Sequence, residues 1–406
     1  MRRLKTLAVL GTRPEAIKMV PVLRNLRNHE KVELVVVATS QHREMLDQVL
    51  QLFGVVPDVD LDIMQARQSL NEIVRRAVDG LDRVMHEHAP DVLLVQGDTT
   101  TAFTAALAAF HRRIPVGHIE AGLRSYDPYN PYPEEVNRRL ISGVASIHFA
   151  PTEQSAKNLL REGVSPEKIY RTGNTIVDCL LEIVRGGPNS LANYLPPHFQ
   201  LNGHRLILVT AHRRESWHEP MQELCEAVAQ LARELPDARI LYPVHLNPVV
   251  RETVLPILSG LPNVALTDPL PYCAFVEAMA ASYLILTDSG GVQEEAPSLG
   301  KPVLVLRETT ERPEGLALGA AKLVGTDRHA IVSATLRLFR DESEYRRMVS
   351  RRNPYGDGRA AERTVQGLLH YFSMGPKPEP FVAERVARRA VRVREDFGRR
   401  DRLAGT

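Results

Sequence analysis

Short β-rich runs alternate with helix-like stretches along nearly the whole chain. This alternation is typical of parallel sheets, because a parallel crossover needs a long return connection and that connection is usually a helix. The predicted strands are residues 4–10, 32–39, 92–96, 116–119, 147–150, 169–172, 206–210, 240–244, 264–266, 283–287, 303–306 and 322–324. At 406 residues the chain is long for one core, so we expect two doubly wound α/β domains with a cleft between them.

The turn-rich stretch 186–197 separates the two sets of strands. Its glycine and proline residues suit the neighbourhood of a domain boundary. We therefore place a first domain at residues 1–172 and a second at 173–357, followed after residue 374 by an extension, 375–406.

The composition is that of a soluble globular protein, and a net charge of +2 gives no electrostatic case for binding nucleic acid or a membrane surface. The apolar run 4–10 stops at Gly11 without a small-residue cleavage site and is far shorter than the ~20 residues of a membrane span. Cys179, Cys225 and Cys273 are far apart and form no CxxC pair. We therefore expect no metal site, no disulfide and a reducing cytoplasm.

The segment TDSGGVQEE, residues 287–295, follows an apolar run and precedes a helical stretch. The first turn of a helix leaves backbone N–H groups without partners, and Gly290 and Gly291 remove the Cβ atoms that would keep an anion away from them. The turn is thus a candidate phosphate seat. Glu295 would repel a phosphate but suits a sugar diol, so the pattern indicates a nucleotide. A Gly-Gly turn also occurs simply to let the chain reverse, and that alternative stays open.

Polar residues follow many of the predicted strands, at the edge where ligands of open α/β sheets bind. In the first half they include Asp98 and Glu120, and in the second half His212. Carboxylates suit acid and base chemistry, whereas cations and helix N-termini suit a diphosphate. Simpler interpretations compete with these: Asp98 as the cap of the next helix, His245 as a core histidine, and Arg213 as part of a solvated pair.

Six motifs occur in order along the chain: GTRPE at 11–15, QGDT at 96–99, HIEAGLR at 118–124, PEEVNR at 133–138, HRRE at 212–215 and DSGGVQEE at 288–295. Together they resemble the non-hydrolysing bacterial UDP-N-acetylglucosamine 2-epimerases over about residues 4–370. The resemblance implies a glycosyltransferase-B-like fold of two Rossmann-like domains with the active site in the cleft between them. It also implies a last helix, 358–374, that returns to the first domain.

By this resemblance the chain interconverts UDP-N-acetylglucosamine and UDP-N-acetylmannosamine without a cofactor, NAD or metal. The family route eliminates UDP across C1–C2 to give 2-acetamidoglucal and then adds UDP back. The implied catalytic residues are Asp98, Glu120, Glu134 and His212. The implied UDP-binding residues are Arg13, Lys18, His245, Phe275, Ser289, Gly290, Gly291 and Glu295, with Glu295 on the ribose and Phe275 near the uracil.

The resemblance further implies a cytoplasmic homodimer that serves cell-envelope polysaccharide synthesis and is activated by UDP-N-acetylglucosamine at a second, allosteric position. Gln41, Arg67 and Arg213 match that position. Glu44 stands where we expect another glutamine, and a carboxylate near a diphosphate would weaken its binding. We therefore predict that regulation is retained in weakened form.

Other functions remain possible from sequence. A hydrolysing epimerase would release UDP and free N-acetylmannosamine, a glycosyltransferase of the same fold would need an acceptor groove, and a nucleotide-sugar sensor would need no acid/base residues. Within the basic extension 375–406, Val386, Ala390 and Val393 recur at helical spacing among arginines. We predict a basic amphipathic helix docked on the body or on a partner subunit, with a disordered tail as the alternative.

Overall fold

The computed structural model describes residues 2–40, 43–65, 68–186, 191–213, 217–349 and 353–383. The chain divides into two compact units, the first made of Met1–Cys179 with Tyr355–Val382 and the second containing Leu180–Pro354. Each unit is built on one sheet of parallel strands. The predicted α/β class with two doubly wound sheets is confirmed. No helix in the described ranges is long and apolar enough to cross a bilayer.

The strands of the first unit are β1 (Leu4–Leu10), β2 (Val32–Ala38), β3 (Val59–Asp60), β4 (Val92–Gln96), β5 (Val116–Ile119), β6 (Ile147–Ala150) and β7 (Ile169–Arg171). They form one sheet in the order β3-β2-β1-β4-β5-β6-β7. Strands β4 and β5 are buried at every position, as expected when both faces of a parallel sheet are covered. This burial is why β4 is apolar up to its last residue, Gln96. The sequence pattern does not predict β3, because two residues carry no periodicity.

The helices of the first unit are α1 (Arg13–Arg27), α2 (Arg43–Leu52), α3 (Leu70–His88), α4 (Thr100–His111), α5 (Glu134–Val144), α6 (Glu153–Arg161) and the start of α7 (Thr175–Gly186). Helix α4 is rich in alanine, which lets it pack closely against β1, β4 and α3. A Cβ at Gly11 would collide with the side chain of Thr101 on this helix. Glycine at the end of β1 is therefore required by close packing.

The second unit contains strands β8 (Leu206–Thr210), β9 (Arg239–Pro243), β10 (Val264–Thr267), β11 (Ser282–Thr287), β12 (Val303–Val305) and β13 (Ala321–Leu323). Their order in the sheet is β10-β9-β8-β11-β12-β13. The helices are α8 (Glu219–Glu234), α9 (Pro248–Leu258), α10 (Tyr272–Ala281), α11 (Gly290–Glu295), α12 (Pro313–Ala317), α13 (Arg328–Arg340) and α14 (Glu342–Val349). Apolar side chains of α8, α9 and α13 pack on the strands and form the core.

The last helix, α15 (Ala360–Tyr371), packs against α1 of the first unit. The carboxylate of Asp178, on α7, accepts hydrogen bonds from the Ala360 and Ala361 amides at 3.1 and 2.8 Å and so caps this helix. Because Asp178 binds α15, the first turn of α7 belongs with the first unit. The division therefore falls after Cys179, not after residue 172 as predicted.

The start of the C-terminal extension also lies on the first unit. Phe381 is buried, and its amide donates to the carbonyl of Arg171 at 2.7 Å. The guanidinium of Arg363 on α15 lies over the Phe381 ring. The predicted basic helix around Val386 lies outside the described residues.

Candidate active site

Three neighbouring strands of the first unit, β1, β4 and β5, end beside one another in the sheet. The residues that follow them include Gly11, Asp98 and Glu120. Because the strands are parallel, their carboxyl ends share one edge. The structure thus brings the predicted polar residues of three motifs to that edge.

Glu120 directly follows β5 and has a left-handed backbone conformation, with φ at +65°. Such a conformation costs roughly 1–3 kcal/mol for a residue with a Cβ and persists only where the surroundings enforce it. Its buried carboxylate accepts a hydrogen bond from Lys18 Nζ at 2.5 Å and one from Gln96 Nε2 at 2.9 Å. Lys18 therefore contacts a predicted catalytic carboxylate in this structure.

Asp98 follows β4 after Gly97, which has φ at +70°. Arg138 of α5 donates through Nε to Asp98 Oδ2 at 3.0 Å, and Asn137 Nδ2 donates to the Asp98 carbonyl at 2.9 Å. The alternative that Asp98 merely caps α4 is wrong, because the cap is Thr99, whose hydroxyl accepts from the Ala102 amide at 3.0 Å. About a quarter of the Asp98 side chain, 23%, is exposed and open to a ligand.

His118 on β5 supports the Asp98 turn from beneath. Its ring is fully buried, and burial lowers its pKa to about 3, so the imidazole is neutral at physiological pH. Nε2 lies 2.7 Å from the carbonyl of Gly97 and must donate to it, since a carbonyl only accepts. This supporting role was absent from the predicted site, because it depends on the pairing of β4 with β5.

Glu15 joins the turns after β1 and β4. Its buried Oε2 accepts from the Gly11 amide at 3.1 Å and from the Thr12 hydroxyl at 2.8 Å, while Oε1 accepts from the Thr99 hydroxyl at 2.7 Å. Burial raises the pKa of Glu15 to about 7, although these hydrogen bonds oppose the rise. The carboxyl group thus connects the turn before Arg13 to the turn that carries Asp98.

Glu134 and Glu135 begin α5 and have different surroundings. Glu135 is fully buried and accepts from the amides of Ser125 and Tyr126 at 3.0 and 3.2 Å and from Arg138 at 3.1 Å. It therefore holds the preceding loop in place. Glu134 is half-buried at the first position of the helix.

In the second unit the strands β9, β8 and β11 are neighbours, and the residues after them include His245, His212 and Ser289. Asp288 after β11 is fully buried, and its Oδ2 accepts from the amides of His212 and Arg213 at 2.7 and 2.8 Å. His212 Nδ1 lies 3.4 Å from Asp288 Oδ1. Asp288 thus holds the backbone of His212 and Arg213 and lies close to the His212 ring.

The ring of His212 stacks on that of His245, with 5.6 Å between centroids and 12° between planes. His245 is exposed, so the alternative of a core histidine is wrong. Burial of part of the ring and the neighbouring His212 both lower the pKa of His245.

Gly290 and Gly291 open α11, and neither has a positive φ. The alternative that the pair simply lets the chain reverse is therefore unsupported, because residues other than glycine can also adopt this backbone conformation. What matters at Gly290 is the missing side chain: a Cβ there would lie 3.0 Å from Glu311 Oε1. Backbone at this turn can therefore be approached closely by a ligand or a neighbouring group.

Glu295 at the end of α11 is buried, and Tyr272 donates its hydroxyl to Glu295 Oε1 at 2.6 Å. Tyr272 begins α10, and Phe275 lies three residues further on the same helix face. The structure thus brings Glu295 and the half-buried Phe275 to one side of the second unit. Tyr272 was absent from the predicted site, because no motif marks it.

The remaining predicted residues are placed as follows. Arg13 is half-buried at the first position of α1. Arg213 donates to Glu311 at 3.2 Å, so the alternative that its side chain is simply solvated is wrong. Gln41 and Arg67 lie outside the described residues. Among the described residues no group of three or more His, Cys, Asp or Glu side chains is arranged to hold a metal ion.

Comparisons with known proteins identify the family. The family model described as UDP-N-acetylglucosamine 2-epimerase matches residues 24–369. The UDP-N-acetylglucosamine 2-epimerase of Yersinia pestis is 52% identical over 372 residues, 91% of this chain and 99% of that protein. The enzyme of the same name from Escherichia coli K12 is 52% identical over 369 residues, 90% of this chain and 98% of that protein.

The crystal structure of UDP-GlcNAc 2-epimerase from Neisseria meningitidis bound to UDP-GlcNAc is also similar. It is 47% identical, covers 90% of this chain and 100% of its own, and superposes with a TM-score of 0.85. The resemblance indicated by the six motifs and the predicted fold class are both confirmed by these matches. The chain belongs to the UDP-N-acetylglucosamine 2-epimerase family.

Proposed function

We propose that the chain interconverts UDP-N-acetylglucosamine and UDP-N-acetylmannosamine by eliminating UDP to give 2-acetamidoglucal and adding it back. Membership of the epimerase family and a relative crystallised with UDP-GlcNAc support the substrate. The observation that carries the route is a set of carboxylates at adjacent strand ends, two of them held by cations: Glu120 by Lys18 and Asp98 by Arg138.

Elimination suits this chemistry because the hydrogen on C2 has no neighbouring carbonyl to acidify it. A base removes that proton, the C–H electrons form the C1–C2 double bond, and the C1–O bond breaks with its electron pair leaving on UDP. In the return step a UDP oxygen attacks C1 while an acid delivers a proton to the opposite face of C2. Each positioned acid or base supplies roughly 10²–10⁴-fold in rate.

The three carboxylates Asp98, Glu120 and Glu134 are the proposed proton-transfer groups. A proton is removed from one face of C2 and delivered to the other, so at least two such groups are required. Lys18 keeps Glu120 in position, and Arg138 with His118 does the same for Asp98. A carboxylate held beside the sugar ring can also stabilise the positive charge of an oxocarbenium-like state.

The second unit is proposed to bind the UDP part. His212, His245 and the turn Ser289–Gly291 would hold the diphosphate together with Arg13. Glu295 suits the ribose diol, and Phe275 on α10 suits the uracil face. Asp288 would keep the backbone of His212 in place, so that the His212 ring can donate to the departing phosphate oxygen.

We further propose that the enzyme is a cytoplasmic homodimer that supplies UDP-N-acetylmannosamine for cell-envelope polysaccharide and that UDP-N-acetylglucosamine activates it at Gln41, Arg67 and Arg213. Glu44, in place of an expected glutamine, would weaken this activation. The reverse reaction from pure UDP-N-acetylmannosamine should then accelerate after traces of UDP-N-acetylglucosamine are added. Identical initial rates would reject regulation, and sedimentation would test the dimer.

Proton NMR of UDP-N-acetylglucosamine with the protein tests the activity. We expect both nucleotide sugars to appear at a constant ratio, with the sugar still linked to UDP. Release of UDP with free N-acetylmannosamine would establish the hydrolysing alternative. Consumption only in the presence of an acceptor would establish a glycosyltransferase.

A further inference from the structure

A charge cluster surrounds the loop after β12, and we define it as Arg307, Glu311 and Arg312 of that loop with Arg213 after β8 and Glu294 of α11. Glu311 lies at its centre. Its Oε1 accepts from Arg213 at 3.2 Å and lies 3.6 Å from Arg312, and its Oε2 accepts from Arg307 at 2.7 Å. Arg312 also donates to Glu294 of α11. Three guanidinium groups thus share two carboxylates.

This cluster adjoins the turn at the start of α11. A Cβ built on Gly290 would lie 3.0 Å from Glu311 Oε1 and 3.7 Å from a terminal nitrogen of Arg213. Thr310 of the loop donates to Gln293 of α11 at 2.8 Å, which holds the loop against the helix. An anion at the Gly290 turn would therefore meet both a carboxylate and a guanidinium.

The partners of Glu311 differ in how firmly they are held. The side chains of Arg307 and Arg312 are 5% and 9% exposed, whereas that of Arg213 is 24% exposed and makes a longer contact than Arg307. Arg312 has a second carboxylate in Glu294. Arg213 is thus the cation that can exchange partners at least cost.

Glu311 carries its charge throughout the working pH range. Burial alone would raise its pKa, but Arg312, Arg213 and Arg307 outweigh burial and lower the pKa to about 2. A phosphate placed at the turn would repel this carboxylate and attract the same guanidinium. The two anions therefore compete for Arg213.

We propose that Glu311 is an internal anion that occupies Arg213 until the diphosphate of a uridine nucleotide displaces it, and that this exchange limits the affinity for the nucleotide. The inference rests on the proposed function, which places the catalytic diphosphate at the turn Ser289–Gly291 and the regulatory nucleotide at Arg213. Arg307 and Arg312 keep Glu311 in reach while Arg213 turns to the phosphate. Glu311 then acts through Arg213 and is a positioning residue for the nucleotide.

Calorimetric titration of UDP into Glu311→Gln tests the exchange. Removing the competing charge should tighten UDP binding by about tenfold, equivalent to about 1.4 kcal/mol. The melting temperature without nucleotide should fall, because buried arginines lose a counter-charge, and UDP should restore more stability than in the wild type. Unchanged or weaker UDP binding would overturn the proposal. Glu308→Gln, which alters an exposed carboxylate of the same loop, is the matched control and should bind UDP normally.

Arg213→Gln decides the question if Glu311→Gln does not fold. Arg213 is the most exposed arginine of the cluster, and this variant should stay folded while UDP binding weakens by about tenfold or more. Undiminished binding would overturn the proposal. In Glu311→Gln, a lower KM for UDP-N-acetylglucosamine would locate the exchange at the catalytic nucleotide, and a lower activating concentration would locate it at the regulatory one.

Failure of the proposed function is distinguished by turnover of the wild type. A wild type that binds UDP but does not epimerise, with tighter UDP binding in Glu311→Gln, would keep the exchange and reject the activity. A wild type that epimerises, with unchanged UDP binding in Glu311→Gln, would keep the activity and reject the exchange.

Discussion

Glu15→Gln should change how stability depends on pH. The carboxyl group is fully buried, and burial raises its pKa from 4.5 to about 7. Because the folded-state pKa lies above the unfolded one, protonated Glu15 contributes its full stabilisation below pH 4.5, and that contribution is lost as the pH rises through about 7. A rise from 4.5 to about 7 corresponds to about 3 kcal/mol, and little of it is screened at this depth.

Glutamine keeps the shape of the protonated acid. Its oxygen can accept from the Gly11 amide and the Thr12 hydroxyl, while its nitrogen donates to Thr99 Oγ1. The variant should therefore lose the dependence on pH without losing the connection between the two turns.

The assay is denaturant unfolding followed by circular dichroism at pH 4.5 and pH 8, with hydrogen exchange of the α4 amides as a local probe. Relative to wild type, Glu15→Gln should gain about 3 kcal/mol in unfolding free energy between the two pH values. Glu30→Gln, at an exposed carboxylate of the same unit, is the control, and its unfolding free energy should change with pH as that of the wild type does. The same pH dependence of the unfolding free energy in Glu15→Gln and the wild type would refute the reasoning.

Three further predictions concern the site and the extension. Glu120→Gln and Asp98→Asn should each lower kcat by at least ~10²-fold with UDP affinity kept, as measured by steady-state kinetics and calorimetry; near-normal rates in both would count against their role. Glu295→Gln should chiefly weaken UDP binding in the same titration, and an unchanged affinity would remove Glu295 from the ribose. Truncation after residue 383, which keeps the docked Phe381, should leave kcat unchanged, and complete loss of activity in a folded truncated protein would make the extension part of the catalytic machinery.

Strand positions were predictable because buried parallel strands leave an uninterrupted apolar run. Strand β4 matches the prediction residue for residue, since burial on both faces marks every position. The boundary near Cys179 was not predictable, because it depends on Asp178 capping a helix some 180 positions further along the chain. No local sequence pattern predicts such a contact.

In the site, too, local sequence predicts some residues and misses those that depend on contacts between distant parts of the chain. Glu120 is visible in sequence because a charged residue directly after an apolar strand needs a partner or a binding site, and Asp98 follows its strand after a single glycine. His118 and Glu15, which position the turn carrying Asp98, are recognisable only once β4 lies between β1 and β5. Sequence also gives no sign that Glu311 lies against Gly290, because that contact joins two turns of neighbouring strands.

The central claim is that C2 is inverted through elimination and re-addition of UDP. Epimerisation in D2O tests this claim directly, since the proton removed from C2 exchanges with solvent before another is delivered. Proton NMR and mass spectrometry of the UDP-N-acetylmannosamine formed should show one deuterium at C2. Product that retains the original hydrogen at C2 would contradict the account.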